Sequence, residues 1–168
     1  FFYLFGLSFT TLLFFILSIF FVIIFFIDLK HFIIPNELTF PLMAIGLFKS
    51  FDPNLNQYLF PNFLNSLVGG VAGYLIIWMI IFIYKRFRNK EGMGLGDAKL
   101  LSAIGFWFGW ISIPFILFFS SFIALVLAIP SLINKSKNLS SQIPFGPYLI
   151  LGCICLLYTS PSPRDSRV

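Results

Sequence analysis

The sequence predicts an all-α protein, a polytopic integral membrane bundle of about six transmembrane helices. Three observations predict it. Hydrophobic residues make up 59% of the 168 and charged residues only 10%, whereas soluble domains carry roughly 25% charged residues because their surfaces must hold water. An uncharged run fills the chain from Phe1 to Ile27. The 11 Lys and Arg fall in short clusters between greasy segments, which is how membrane loops distribute charge. That clustering makes nucleic-acid binding a poor account of the net charge of +5. The two cysteines, Cys153 and Cys155, sit together inside an apolar run, so the chain is not a disulfide scaffold.

At about 1.5 Å per helical residue, Phe1 to Ile27 is long enough to cross a hydrocarbon core of roughly 30 Å. It ends at Asp28. Lacking an initiator Met and a basic flank, it reads as a true span, and the chain is expected to begin inside a longer protein. Leu38 to Phe48 carries Pro41 and is apolar only briefly, so a short tilted helix, or one running on toward Pro61, is expected. Phe63 to Tyr84 is a full span closed by Lys85, Arg86, Arg88 and Lys90. Its small residues Ser66/Gly70 and Gly69/Gly73, spaced by four, admit a closely packed neighbour. Asp97 to Trp110 returns across the membrane, and Gly105 and Gly109 repeat that spacing. Pro114 to Ile133 follows a tight connection, and Pro147 to Tyr158 is a last, short span. The polar stretch 158–168 breaks the pattern and is set aside as a tail, leaving 1–157 as one membrane-embedded domain.

Alternating the connections between two sides tests these spans, because cytoplasmic loops hold the Lys and Arg. One side receives Lys30, Lys85, Arg86, Arg88, Lys90, Lys99, Lys135 and Lys137; the other receives Lys49, with Arg164 and Arg167 if the tail counts. Asp28 and Asp97 therefore both belong at the cytoplasmic face. Of the six acids, these two occupy span ends, where ionisable groups are costly and mark function. Asp97 follows the flexible stretch Gly92 to Gly96, and helices packed through their glycine faces can bring it to Asp28.

Two carboxylates at close range cannot both stay ionised cheaply, so one keeps a proton while the other remains an anion. That asymmetry suits an aspartic protease: the anion draws a proton from water and the neutral acid hydrogen-bonds the scissile carbonyl. Gly94 and Gly96, without side chains, let backbone approach a substrate strand or adopt positive φ. Taken alone, an Asp at a helix N-terminus is more often a cap or dipole partner. The pairing of both acids on one side favours the catalytic reading.

Four stretches then carry a family resemblance: FIDLKHFIIPNELTFPL (Phe26 to Leu42), LVGGVAGYL (Leu67 to Leu75), NKEGMGLGDAKLLSAIGFWFGW (Asn89 to Trp110) and IPFGPYLILG (Ile143 to Gly152). In this order they resemble the bacterial type IV prepilin peptidases, which belong among the membrane aspartyl proteases with a Gly-x-Gly-Asp motif. The resemblance implies an inner-membrane endopeptidase that removes the basic leader of type IV prepilins or type II secretion pseudopilins at the cytoplasmic face. By motif, the catalytic pair is Asp28 and Asp97, supported by Gly94, Gly96, Lys99, Pro35 and Asn36. Proteolysis in the family needs neither metal nor cofactor. Many members also methylate the new terminus with S-adenosylmethionine and carry an amino-terminal region with paired zinc-binding cysteines, so that cofactor is implied for the full-length protein. Where the family often has a second acid two residues after the first, this sequence has Lys30.

Smaller signals have plainer readings. His31 is an interfacial side chain, and Lys99 is expected to point away from Asp97 and snorkel to phosphates. Pro35-Asn36 ends an extended loop and starts a helix. Pro144, Gly146 and Pro147 form a helix-start kink and a candidate wall of the substrate cleft. The cysteines read as apolar filler. The rival function is a small polytopic transporter or ion-coupled membrane subunit, but its sites belong near mid-membrane and no inverted repeat is visible. A non-catalytic assembly component is weaker still. The expected partners are the prepilin or pseudopilin substrate and the bilayer, with no nucleic acid.

Overall fold

A computed structural model of the chain describes residues 9–51, 61–88, 94–133 and 145–159. These residues form six α-helices and one 3₁₀ turn: α1 (Phe9–His31), α2 (Asn36–Phe48), the turn Lys49–Phe51, α3 (Phe63–Arg88), α4 (Leu95–Phe108), α5 (Ser112–Ile133) and α6 (Gly146–Thr159). The predicted segments are all represented, though residues 1–8 of the first lie outside the described residues, and other ends shift. The basic cluster after Tyr84 prolongs α3 by one turn, and α6 runs through Thr159, two residues into the stretch read as a tail. The remainder of that tail, 160–168, lies outside the described residues.

Among the described residues, Leu12–His31 and Phe63–Phe87 are long and apolar enough to cross a membrane. Their outer faces present large side chains such as Phe26 at 66% exposure and Phe82 at 59%, a surface that water would penalise and hydrocarbon accepts. With 13, 14 and 14 residues, α2, α4 and α6 are each about 20 Å long. That covers only part of a hydrocarbon core.

The short α4 is the hub. It packs most extensively on α3, then on α2, and also meets α5 and α6. Because neighbours surround it, nearly its whole length is buried, from Asp97 and Ala98 to Trp107 and Phe108. A helix apolar on all sides needs such an envelope. The α3–α4 crossing is glycine-mediated as the spacing predicts: a Cβ on Gly69 would lie 2.5 Å from the Gly105 carbonyl oxygen, and one on Gly73 2.8 Å from that of Leu101. Ser102 Oγ donates across the same seam to the Gly70 carbonyl at 2.8 Å. At the far end Gly109, with φ +80°, caps α4. This arrangement sets the first turn of α4 against Ile34 in the connection after α1, and α4 also meets α6.

Candidate active site

Asp28 lies in the last turn of α1 and is only 4% exposed. Its carbonyl accepts the Phe32 N–H at 2.9 Å. Phe32 then turns the chain at φ 55°, a left-handed conformation that costs a bulky residue about 1 kcal/mol or more. The reversal sends Ile34 back into the bundle, where it is buried. Pro35 is extended and α2 begins at Asn36, as its sequence predicts.

Asp97 sits in the first turn of α4, is 8% exposed, and donates its N–H to the Gly94 carbonyl at 3.2 Å. The two carboxylates lie close enough for the charge of Asp28 to act on Asp97. Ile34 lies beside Gly96 and Gly146. A Cβ on Gly96 would stand 3.0 Å from Ile34 Cβ, and one on Gly146 would stand 3.1 Å from Ile34 Cδ1 and 2.5 Å from Asp28 Oδ2. That Asp28 oxygen is buried without a hydrogen-bond partner among the described residues. A buried polar atom left unmatched is uncommon and points to a strained or chemically used group.

The supporting residues divide. Gly94 has ordinary extended dihedrals, not the positive φ its sequence allowed, and a Cβ there meets only Gly96 N at 3.8 Å. It remains an open backbone surface. Gly96 instead makes room for Ile34. Lys99 does not snorkel: its Nζ donates to Asn36 Oδ1 at 2.6 Å and lies 5.7 Å from the Phe40 ring centre. This bond ties the segment after Asp28 to the helix of Asp97. Gly146 and Pro147 are buried at the start of α6, and Gly146 lies directly against Asp28. Pro144 lies outside the described residues. His31 is exposed, and Cys153 and Cys155 are free thiols.

Sequence reasoning missed Ile34 as the wedge between the two acid-bearing segments. Its signal was an apolar residue in a connection, directly before Pro35, with no reason to be there unless buried. A second groove, of about 510 Å³, runs along α1 and α6 past Phe21, Phe25, Ile150 and Ile154. Its lining is largely apolar; of its two hydroxyl-bearing residues, Ser18 donates to the Phe14 carbonyl and Tyr158 is exposed.

Residues 15–129 match the type IV leader peptidase family. The chain belongs to that family. Relatives of this chain include a protein named prepilin leader peptidase/N-methyltransferase from Aeromonas salmonicida, 40% identical over 79% of this chain and 44% of the relative. Another, from Xanthomonas campestris, is 41% identical over 81% of this chain and 46% of the relative. One from Pseudomonas aeruginosa is 38% identical over 79% and 44%. The chain thus spans less than half the length of these curated relatives. No solved structure matches it.

Proposed function

We propose that this chain is the membrane-embedded catalytic domain, residues 1–157, of an aspartic endopeptidase that removes the leader from type IV prepilins or type II secretion pseudopilins. One observation carries the reading: of the described acids, Glu37 is exposed, while Asp28 and Asp97 are buried and the charge of Asp28 acts on Asp97. They come from opposite ends of different helices, and burying two like charges together is too costly to be incidental.

In the mechanism one carboxylate is an anion and the other holds a proton. The anion takes a proton from a water, whose oxygen attacks the scissile carbonyl carbon as the neutral acid hydrogen-bonds the carbonyl oxygen. The tetrahedral intermediate then collapses: the carbon–nitrogen bond breaks, the amine leaves with a proton from the pair, and the carboxyl terminus of the leader forms. The site faces the cytoplasm of a bacterial inner-membrane protein, because eight of the Lys and Arg assigned by the spans lie on that side and such residues stay inside.

The relatives' printed names include N-methyltransferase, which implies S-adenosylmethionine for the full-length protein. The described residues do not fit that group. Outside the aspartate pair, the buried polar side chains Thr39, Lys49, Ser50, Ser66, Ser102, Ser112 and Ser120 are each committed to internal hydrogen bonds, leaving no set of donors to cradle it.

The test uses the full-length protein in membranes with a prepilin, reading leader removal by mass. Asp28→Asn and Asp97→Asn are expected to stay folded and leave the prepilin intact. Normal processing by either variant removes that residue from the mechanism.

A further inference from the structure

We propose that Gly146 is a positioning residue for the reaction: its missing side chain reserves the space in which Asp28 Oδ2 is held. The proposal rests on Asp28 being catalytic and adds a residue beyond the stretch that matches the family, which ends at 129.

The geometry leaves no room for any other amino acid. A Cβ at Gly146 would stand 2.5 Å from Asp28 Oδ2 and 3.2 Å from Asp28 Cγ. Conformation does not demand glycine here, since Gly109 is the one positive-φ glycine among the described residues and Ala is the better helix former. Space is the remaining reason. The carboxylate has little freedom to move aside, because Asp28 is almost wholly buried and Ile34 closes the neighbouring volume, its Cδ1 3.1 Å from the same Cβ position.

The backbone of Gly146 has a part as well. In the first turn of α6 the N–H groups of Tyr148 and Leu149 both donate to the Phe145 carbonyl at 3.1 Å, and Pro147 has no N–H. Among the described residues the Gly146 N–H has no backbone acceptor, and it acts on the Asp28 carboxylate. An uncommitted N–H at a helix N-terminus suits a carboxylate. Glycine therefore does two things for Asp28: it lets the carboxylate approach closely, and it offers a backbone N–H to it. Any side chain pushes the acid away from the donor and from the position that water and Asp97 require.

The test is Gly146→Ala in the full-length enzyme. Leader removal is expected to lose about 100-fold or more in kcat, the size of effect a displacement near 1 Å produces. KM stays within about twofold, and the acidic limb of the pH–rate profile is displaced. A merely looser bundle lowers the active fraction without moving that limb. A double-mutant cycle read by thermal unfolding in detergent does not depend on activity. In an Asp28→Ala background the clashing atoms are gone, so the stability cost of Gly146→Ala disappears, and a Gly146→Ala protein that fails to fold is restored by Asp28→Ala. If that cost persists with Asp28→Ala and vanishes with Ile34→Val, glycine serves only the Ile34 contact and the proposal is overturned. Wild-type kcat and pH profile in Gly146→Ala overturn it too. The Asp28→Asn control separates the two levels: an inactive Asp28→Asn beside a normal Gly146→Ala sinks this inference alone, while an active Asp28→Asn sinks the protease reading.

Discussion

The two ends of α4 bury polar groups in opposite ways. At its last turn Trp107 donates Nε1–H to the Leu42 carbonyl at 2.8 Å, and its own carbonyl accepts from Lys49 Nζ at 2.6 Å. The Lys49 ammonium also lies 5.3 Å from the Trp107 ring centre, and beside it the Ser50 and Ser66 hydroxyls share a 2.6 Å hydrogen bond. At its first turn Asp97 is buried within reach of the charge on Asp28, and Asp28 Oδ2 has no hydrogen-bond partner among the described residues. One end is satisfied and locks α2, α3 and α4 together. The other keeps two acidic groups close together and an oxygen unmatched among the described residues. Local rules that hold everywhere else tend to fail where function is built, and the contrast along one 14-residue helix marks which end is the site.

The sharpest way to break the contrast is at the acids. Asp28→Asn or Asp97→Asn should lower leader removal by about 10²- to 10⁴-fold, the usual contribution of an acid–base group, or more. Either variant should unfold no earlier than the parent, because each removes a buried like-charge conflict. A variant that loses activity only through lost folding would place the acids with the structural end.

Lys49 tests the other end with the opposite signature. It lies outside the spans read from the sequence, and burial pushes its ammonium down from 10.5 to about 7. Between those values the unfolded chain binds a proton that the folded one does not, so stability rises as pH increases from about 7 to 10.5. The slope is at most about 1.4 kcal/mol per pH unit. Lys49→Met should flatten this dependence in thermal unfolding while leaving kcat for leader removal unchanged. A changed kcat would mean that the two ends are coupled through α4.

Between these extremes stands the Lys99–Asn36 bond, which joins the segment after Asp28 to the helix of Asp97. Part of it is exposed, so its loss costs little. Lys99→Met should reduce kcat/KM by about three- to tenfold, the worth of one such hydrogen bond. Asn36→Ala should do the same, with no further loss in the double variant.

The helices and both acids were legible in the sequence because their signals are local: apolar runs, small residues spaced by four, charge clusters, and an acid at each of two span ends. What was not legible depends on tertiary neighbours. Lys49 reads as a loop cation until Trp107, 58 residues away, supplies its acceptor. Lys99 reads as a headgroup partner because nothing near it in sequence announces Asn36. Ile34 and Gly146 are ordinary residues one at a time, and only their meeting at Asp28 gives them a role. The glycine motif was legible in identity but not in division of labour, since spacing alone cannot say which glycine faces a neighbour and which faces open space.

That division yields the mildest prediction. Gly94 caps α4 in an extended conformation, and among the described residues a Cβ there meets nothing closer than 3.8 Å. Serine is at least as good an N-cap as glycine, so Gly94→Ser should leave the unfolding midpoint unchanged within the equivalent of about 0.5 kcal/mol. Gly96, three ångströms from Ile34 by the same construction, has no such latitude. Because the fold is indifferent to a side chain at Gly94, any loss of leader removal in Gly94→Ser reports on the substrate strand passing over that backbone. A stability loss instead would mean that Gly94 belongs with Gly96 in the packing of the site.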